Sequence, residues 1–198
     1  MWNRSTATFS HEVLWRASQS ALRTASIEHP HVRPDHLAIQ SLLCGFLAFE
    51  GFVNLVGEEV APETWVDERS FFSKGTFRGI EGKVQYLFTR FPGSQLKKGE
   101  EPYKTFRTLK RVRDDLAHNR VLRVDEVTLD EDPGFTTKWD EFDSPARVDQ
   151  DLKRLKEFAE MIRLEALKIL KDEYELSHLH FPAFEGPLGD STGFRGTR

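Results

Sequence analysis

Residues 111–121 read RVRDDLAHNRV, and two side chains there, Arg113 and His118, do not look like surface filler. One is a permanent cation and the other a side chain that exchanges protons near neutral pH. On an unbroken helix they stand about 140° apart and about 7.5 Å along the axis, so they flank a face rather than share one. Ala117, with almost no side chain, leaves room between them for another helix or a substrate. Asp114, one turn before His118, is placed to accept its ring N–H and fix the tautomer. A purely structural account also exists. A histidine near a helix end interacts favourably with the C-terminal dipole. Arg111–Asp115 and Lys110–Asp114 are i,i+4 ion pairs, each contributing about 0.3–0.5 kcal/mol without any function.

The rest of the chain must supply the elements that hold this stretch. At 198 residues it is one domain with a real core, and 16 phenylalanines provide much of the material. A formal net charge of −4 gives no global excess of cations for phosphate, so a nucleic-acid function has to rest on a local patch. The single cysteine, Cys44, has no internal partner and lies in an apolar run, which fits a reducing cytoplasm. The opening residues MWNRSTATFS lack the long apolar core of a signal peptide.

Residues 36–56, HLAIQSLLCGFLAFEGFVNLV, are long enough to cross a bilayer. Gln40, Glu50 and Asn54 interrupt them, and a central carboxylate costs about 2.5–3.5 kcal/mol on insertion scales. The expectation is therefore a buried bundle helix and no membrane span.

Hydrophobic spacing predicts a first helix over residues 10–28, with its stripe on Val13, Ala17, Ala21 and Ala25, flanked by Leu14 and Leu22. The second helix, capped by Asp35, runs to about Val56 and stops at Gly57. Residues 58–77 form a connector with a short helical turn. The third helix puts Ile80, Val84, Leu87, Phe88 and Phe91 on one face. The fourth covers residues 103–119 and turns Phe106, Leu109, Val112, Leu116 and Ala117 to the core. Residues 121–142 alternate around EDPG and predict an appended β-hairpin. Ser144 and Pro145 then start a long helix to about Leu176, with a stripe on Val148, Leu152, Leu155, Ala159, Ile162, Ala166 and Ile169. The fold class is mainly α. Residues 1–176 form the helical domain, and residues 177–198 are a Gly/Pro-rich tail, either disordered or laid as an extended arm over the bundle.

With that order in place, RDDLAH resembles the signature of the HEPN (higher eukaryote and prokaryote nucleotide-binding) superfamily. The signature is an Arg followed by a polar residue, then a His after four to six residues, on a late helix of an α bundle. Arg113, Asp114 and His118 match it, with four residues intervening. FEGFVN is similar to the family helix that carries an acidic residue and an Asn, and IEGKVQYLF and YKTFRTLKRVRDDLAH follow in the expected order. The resemblance covers residues 10–125. The hairpin, the long last helix and the tail lie outside the minimal pattern.

The resemblance implies metal-independent RNA cleavage in a homodimer, with no cofactor. Arg113 and His118 are then catalytic, and Asp114, Glu50 and Asn54 support them. His118, with an unperturbed pKa of about 6.5, moves the protons, and Arg113 offers a fork of donors to phosphate oxygens. A two-fold axis past this helix brings a second pair into one groove, and the products are a 2′,3′-cyclic phosphate and a 5′-hydroxyl. Arg107, Lys110, Arg111, Arg120 and Arg123 supply the local basic stripe for RNA. A cytoplasmic toxin or defence effector, neutralised by an antitoxin or regulatory partner, fits this reading. The alternative is a noncatalytic HEPN-like module that binds nucleotides or partners. An exposed, converging Arg113 and His118 favour the enzyme, whereas a buried, ion-paired Arg113 favours the module.

The remaining candidates are weaker. Two readings of Glu50 and Asn54 stand side by side, one orienting the Arg113/His118 groove and one bonding to a neighbouring helix or loop. His29, His31 and His36, or His178 and His180, lack the Cys partners or His-Glu-x-x-His spacing of a metal site. Gly75, Gly79 and Gly82 are too scattered for a phosphate-cradling loop. The second helix carries more apolar surface (Leu43, Phe46, Leu47, Phe49, Phe52, Val53) than one short bundle covers, which places the dimer contact on it or on the fourth helix.

Overall fold

Burying the apolar run of residues 34–60 organises everything else. The computed structural model describes residues 3–7, 10–27, 34–117, 142, 144–170, 179, 182–185 and 191–195. In chain order the described elements are β1 (Asn3–Ala7), α1 (Ser10–Ala25), α2 (Pro34–Val60), α3 (Pro62–Trp65), α4 (Glu68–Phe71), α5 (Gly79–Arg90), α6 (Tyr103–Ala117), α7 (Pro145–Leu170) and β2 (Ser191–Arg195). The domain is mainly helical, as the periodicity predicts.

Among the described residues α2 is the one helix long and apolar enough to cross a bilayer. Here it is the central helix of the bundle, packed by α1, α7, α5, α3 and α6. Phe46, Phe49, Phe106 of α6 and Phe158 of α7 form the middle of the core, with ring centroids 5.3–5.9 Å apart in the pairs Phe46–Phe106, Phe49–Phe106, Phe49–Phe158 and Phe106–Phe158. These offset and tilted contacts add to the apolar burial itself. At Gly45 a Cβ would collide with Leu152 and meet the Ser18 hydroxyl at 3.0 Å. That glycine lets α1 and α7 close on α2. Ser18 and Ser41, both fully buried, satisfy each other: each hydroxyl donates to the other's carbonyl, at 2.7 and 2.8 Å. This exchange fixes the register of α1 on α2 with no buried hydroxyl left unpaired.

Several expectations change. Helix α1 buries Trp15, Ser18, Leu22 and Ala25, whereas Val13 is 52% exposed and Ala17 is exposed. The stripe holds in the second half of the helix, at Ala21, Leu22 and Ala25, and fails in the first half, where the buried face is carried by Trp15 and the hydrogen-bonded Ser18. Helix α2 does not stop at Gly57, nor does Asp35 precede it; Asp35 lies in its first turn and the helix continues to Val60. Gly57 is present because the Trp65 ring occupies the place of its Cβ. The connector holds two short helices, α3 and α4, rather than one turn. Helix α5 keeps Ile80, Val84, Leu87 and Phe88 buried as expected. Helix α6 buries Phe106, Leu109 and Val112, with Leu116 partly buried, but Ala117 is exposed. Of the six apolar residues offered for a dimer contact on α2, Phe46, Phe49, Phe52 and Val53 are consumed by the chain's own core. The surplus surface argument for dimerisation through α2 therefore falls away.

Helix α7 carries its stripe as predicted, with Val148, Leu152, Leu155, Ala159, Ile162 and Ala166 buried and Ile169 partly so. The hairpin expected over residues 121–142 lies outside the described residues except Phe142, which is buried in the core. The end expected for α7 near Leu176 also lies outside them.

The tail takes the arm alternative where it is described. Phe184 stacks on Trp15 (centroids 4.4 Å apart, planes 14° apart) and meets Phe52 edge-on at 5.5 Å. Glu160 of α7 accepts from the Ala183 N–H at 3.0 Å, Arg163 donates to the Leu179 carbonyl at 2.9 Å, and Lys156 pairs with Glu185. Residues 191–195 run antiparallel to 3–7, with Asn3 opposite Arg195 and Ala7 opposite Ser191, a pairing no periodicity announced.

Two outcomes follow from this packing. Gly57→Ala is expected to destabilise the chain by about 1–3 kcal/mol through overpacking against Trp65. In a Trp65→Ala background the same change becomes neutral or stabilising, since alanine favours helix by about 1 kcal/mol. Urea denaturation of the four variants measures both. The arm also has a pH limit. Burial pushes the Glu160 carboxyl up, but hydrogen bonds from Arg163 and the Ala183 N–H, with the charges of Arg163 and Lys156, outweigh it and hold it below its ordinary value of 4.5. A folded-state value below the unfolded one gives stability that is present above the unfolded value and lost as pH falls through the folded one. Trp15 fluorescence, quenched or shifted by Phe184, is expected to change in that acidic window, and Glu160→Gln to remove the dependence.

Candidate functional site

Polar side chains in this bundle concentrate where α2 faces α5 and α6. Because the other faces of α2 are buried among α1 and α7, Glu50 and Asn54, one turn apart, point toward the α5–α6 side. Arg113 reaches them from α6. Its guanidinium carbon lies 5.5 Å from the centre of the Phe46 ring, so the cation rests on the aromatic core. One Nη contacts a Glu50 carboxylate oxygen, and the other donates to Asp114 Oδ1 at 2.7 Å. The Nε is buried and has no hydrogen-bond partner among the described residues. The Arg113 and Glu50 side chains are 23% and 22% exposed, so the pair is neither solvated nor sealed.

A second cation completes the cluster, and sequence reasoning missed it. Lys83 of α5 donates to Asn54 Oδ1 at 2.7 Å and pairs with Glu68 of α4. Its side chain is 12% exposed, and its Nζ sits 5.7 Å from the Phe72 ring centre. Gly82 makes this approach possible: a Cβ there would collide with the backbone of Phe77, so only glycine lets the 72–79 segment lie against α5. The one signal in the sequence was a lysine directly after that glycine, on a helix whose Ile80 and Val84 both face inward. Glu50, Asn54, Lys83 and Arg113 line one cavity of about 370 Å³, with Arg69 and Phe72 among the other wall residues. The functional reading of Glu50 and Asn54 and the plain reading thus coincide in part, since both bond to neighbouring helices and both face the same cavity as Arg113.

The expected basic stripe lies around the other side of α6. Lys104, Arg107, Lys110 and Arg111 line a groove of about 490 Å³ together with Glu81, Asp114 and Asp115. Four cations there face three carboxylates, so the stripe is nearly balanced. Arg107 stands 3.7 Å from Glu81, and Lys110 2.9 Å from Asp114 as its i,i+4 spacing predicts. Tyr103 donates to Glu81 at 2.7 Å; burial and that bond push its hydroxyl up to about 12.

Asp114 accepts from Arg113 at Oδ1 and from Lys110 at Oδ2. The bond expected from the His118 ring falls on a residue outside those described. His118, Arg120 and Arg123 lie outside the described residues, as do His29, His31, His178 and His180. His36 lies 3.8 Å from Asp35 on an exposed turn. Among the described residues no three His, Cys, Asp or Glu side chains group as metal ligands.

Comparison of the chain with protein-family models, with curated proteins and with solved structures finds no match. The geometry alone therefore carries the argument. If Arg113 and Glu50 are a coupled pair, Glu50→Ala is expected to cost about 1–3 kcal/mol, the range for depriving a partly buried charge of a partner. Arg113→Met should then cost less in the Glu50→Ala background than alone. A denaturation cycle with coupling below about 0.5 kcal/mol would place the pair among ordinary surface contacts.

Proposed function

We propose that the chain is a HEPN-like, metal-independent endoribonuclease, with Arg113 holding phosphate oxygens and His118 transferring protons. The observation that carries this reading is the meeting of Glu50 and Asn54 with Arg113 in one cavity. Residues that the family resemblance groups from two distant helices are neighbours in space. In this reading Glu50 and Asp114 orient the guanidinium, whose remaining N–H groups face the developing phosphorane charge. His118 takes the ribose 2′-hydroxyl proton or returns one to the leaving 5′-oxygen, and the products are a 2′,3′-cyclic phosphate and a 5′-hydroxyl. One chain provides one histidine at this place, so a second copy is required. With most of the apolar surface of α2 spent inside the chain, the two-fold axis runs along the exposed side of α6 near Ala117. The basic residues Arg107, Lys110 and Arg111, with Arg120 and Arg123, guide RNA toward it. Residues 121–142 form an appended hairpin. The protein acts in the cytoplasm as a toxin or defence effector under a neutralising partner.

A second reading is favoured by a specific observation. Arg113 is held by two carboxylates, and its Nε is buried. An arginine ion-paired in this way meets the condition set above for a noncatalytic, nucleotide- or partner-binding module.

Cleavage assays separate the two. His118→Ala and Arg113→Ala are each expected to lower RNA cleavage by at least about 10²-fold, the lower range for general acid–base catalysis, without loss of helicity. Because Asp114 holds Arg113, Asp114→Ala is expected to lower cleavage too, and Arg111→Ala to change it little. EDTA is expected to have no effect. Expression in bacteria reads the same contrast as growth arrest and RNA degradation for wild type and neither for His118→Ala. Cleavage that survives His118→Ala, or that stops on chelation, rejects this mechanism, and no cleavage by the wild type selects the module.

A further inference from the structure

Lys83, its side chain 12% exposed, is a cation of this cavity that the proposed catalytic scheme does not use. Its Nζ has three N–H donors, of which Asn54 and Glu68 engage two. Arg113 likewise keeps Nη donors beyond those given to Glu50 and Asp114. The two cations are spaced by α2 itself. Arg113 is held at Glu50 and Lys83 at Asn54, one turn further along, which is a rise of about 6 Å. That step between their anchoring residues is comparable with the distance from one phosphate to the next along a ribonucleotide strand. Both cations open on the same cavity of about 370 Å³, with Arg69 also in its wall. The Phe72 ring beside Lys83 lowers the local polarity, which strengthens a charge-assisted hydrogen bond made there.

We propose that Lys83 and Arg113 form a paired-phosphate subsite, Lys83 taking the phosphoryl group next to the one at Arg113. Glu68 is its counterweight: it holds Lys83 in place while the cavity is free and competes with the incoming phosphate. The proposal rests on the cavity of the reading above but not on catalysis: the spacing favours a ribonucleotide strand, and a nucleoside triphosphate could offer the two cations only its first and third phosphates.

The test measures binding, not turnover. Fluorescence anisotropy with a 2′-deoxy-substituted, uncleavable single-stranded oligonucleotide, and separately with a labelled ATP in EDTA, is run from 50 to 300 mM salt. Lys83→Gln is expected to weaken binding at least fivefold at low salt and to flatten the log K against log salt slope by about 0.7, one phosphate contact on a single strand. Lys83→Arg restores both. Glu68→Gln is expected to tighten binding, because the competitor is gone while Lys83 remains. A lysine that only staples α4 to α5 gives the opposite pattern, with Lys83→Gln and Glu68→Gln both neutral or both weakening. That pattern, an unchanged salt slope, or no binding of either probe by wild type overturns the proposal. Should Lys83→Gln fail to fold, the sign of the Glu68→Gln effect decides alone. Preference for the strand over the triphosphate, or the reverse, identifies the source of the phosphates. Lys83-dependent binding without cleavage leaves the subsite standing and removes the ribonuclease. Cleavage with unaltered binding in Lys83→Gln does the reverse.

Discussion

A carboxylate on the most apolar helix of a small bundle has to be neutralised, and Glu50 imposes that condition here. Its helix, α2, gives its apolar faces to α1 and α7, so Glu50 emerges only toward α5 and α6. Arg113 answers it, and the length of an arginine, laid along the Phe46 ring, suits a partner on the next helix. Once Arg113 is committed, Asp114 is drawn to it as a second carboxylate. The same logic repeats a turn along α2, where Asn54 meets Lys83 and Lys83 requires Glu68. The polar cluster is therefore a chain of obligations starting from one acidic residue, and each member explains the next.

What could be read beforehand depended on how far apart the interacting residues lie. The long stripe of α7 was legible because seven buried apolar positions repeat from Val148 to Ala166, about five helical turns, and the two buried charges among them, Asp151 and Arg163, do not break the spacing. The face of the first half of α1 was not, because Ser18 is buried through a bond to Ser41, a partner 23 residues away. Gly57 reads as a helix stop locally, yet it is a seat for the Trp65 ring, which the sequence does not announce. Arg113, Glu50 and Asn54 were found through the order of pieces that resembles a family. Lys83 escaped, because a lysine on a short helix is usually a solvated one, and only the fold shows it tucked under α4.

The two short helices α3 and α4 look like filler but set the site's outer wall. Trp65, Phe72 and Tyr86 pack against one another, with centroids 5.0–6.1 Å apart. That cluster anchors a connector of little intrinsic helicity, since four-residue helices do not persist alone. Glu68 and Arg69 are thereby carried on rigid backbone rather than on a loose loop, which keeps the cavity's dimensions tied to the core.

The Phe184 stack has a consequence for how the chain is made. Trp15 and Phe52 belong to the first third of the sequence, while the ring that covers them arrives after α7. During synthesis α1 and α2 can pair as soon as both emerge, but their shared aromatic seam stays open until residue 184 leaves the ribosome. A nascent chain thus carries an uncovered tryptophan for most of its translation, a natural foothold for chaperones that grip exposed aromatics.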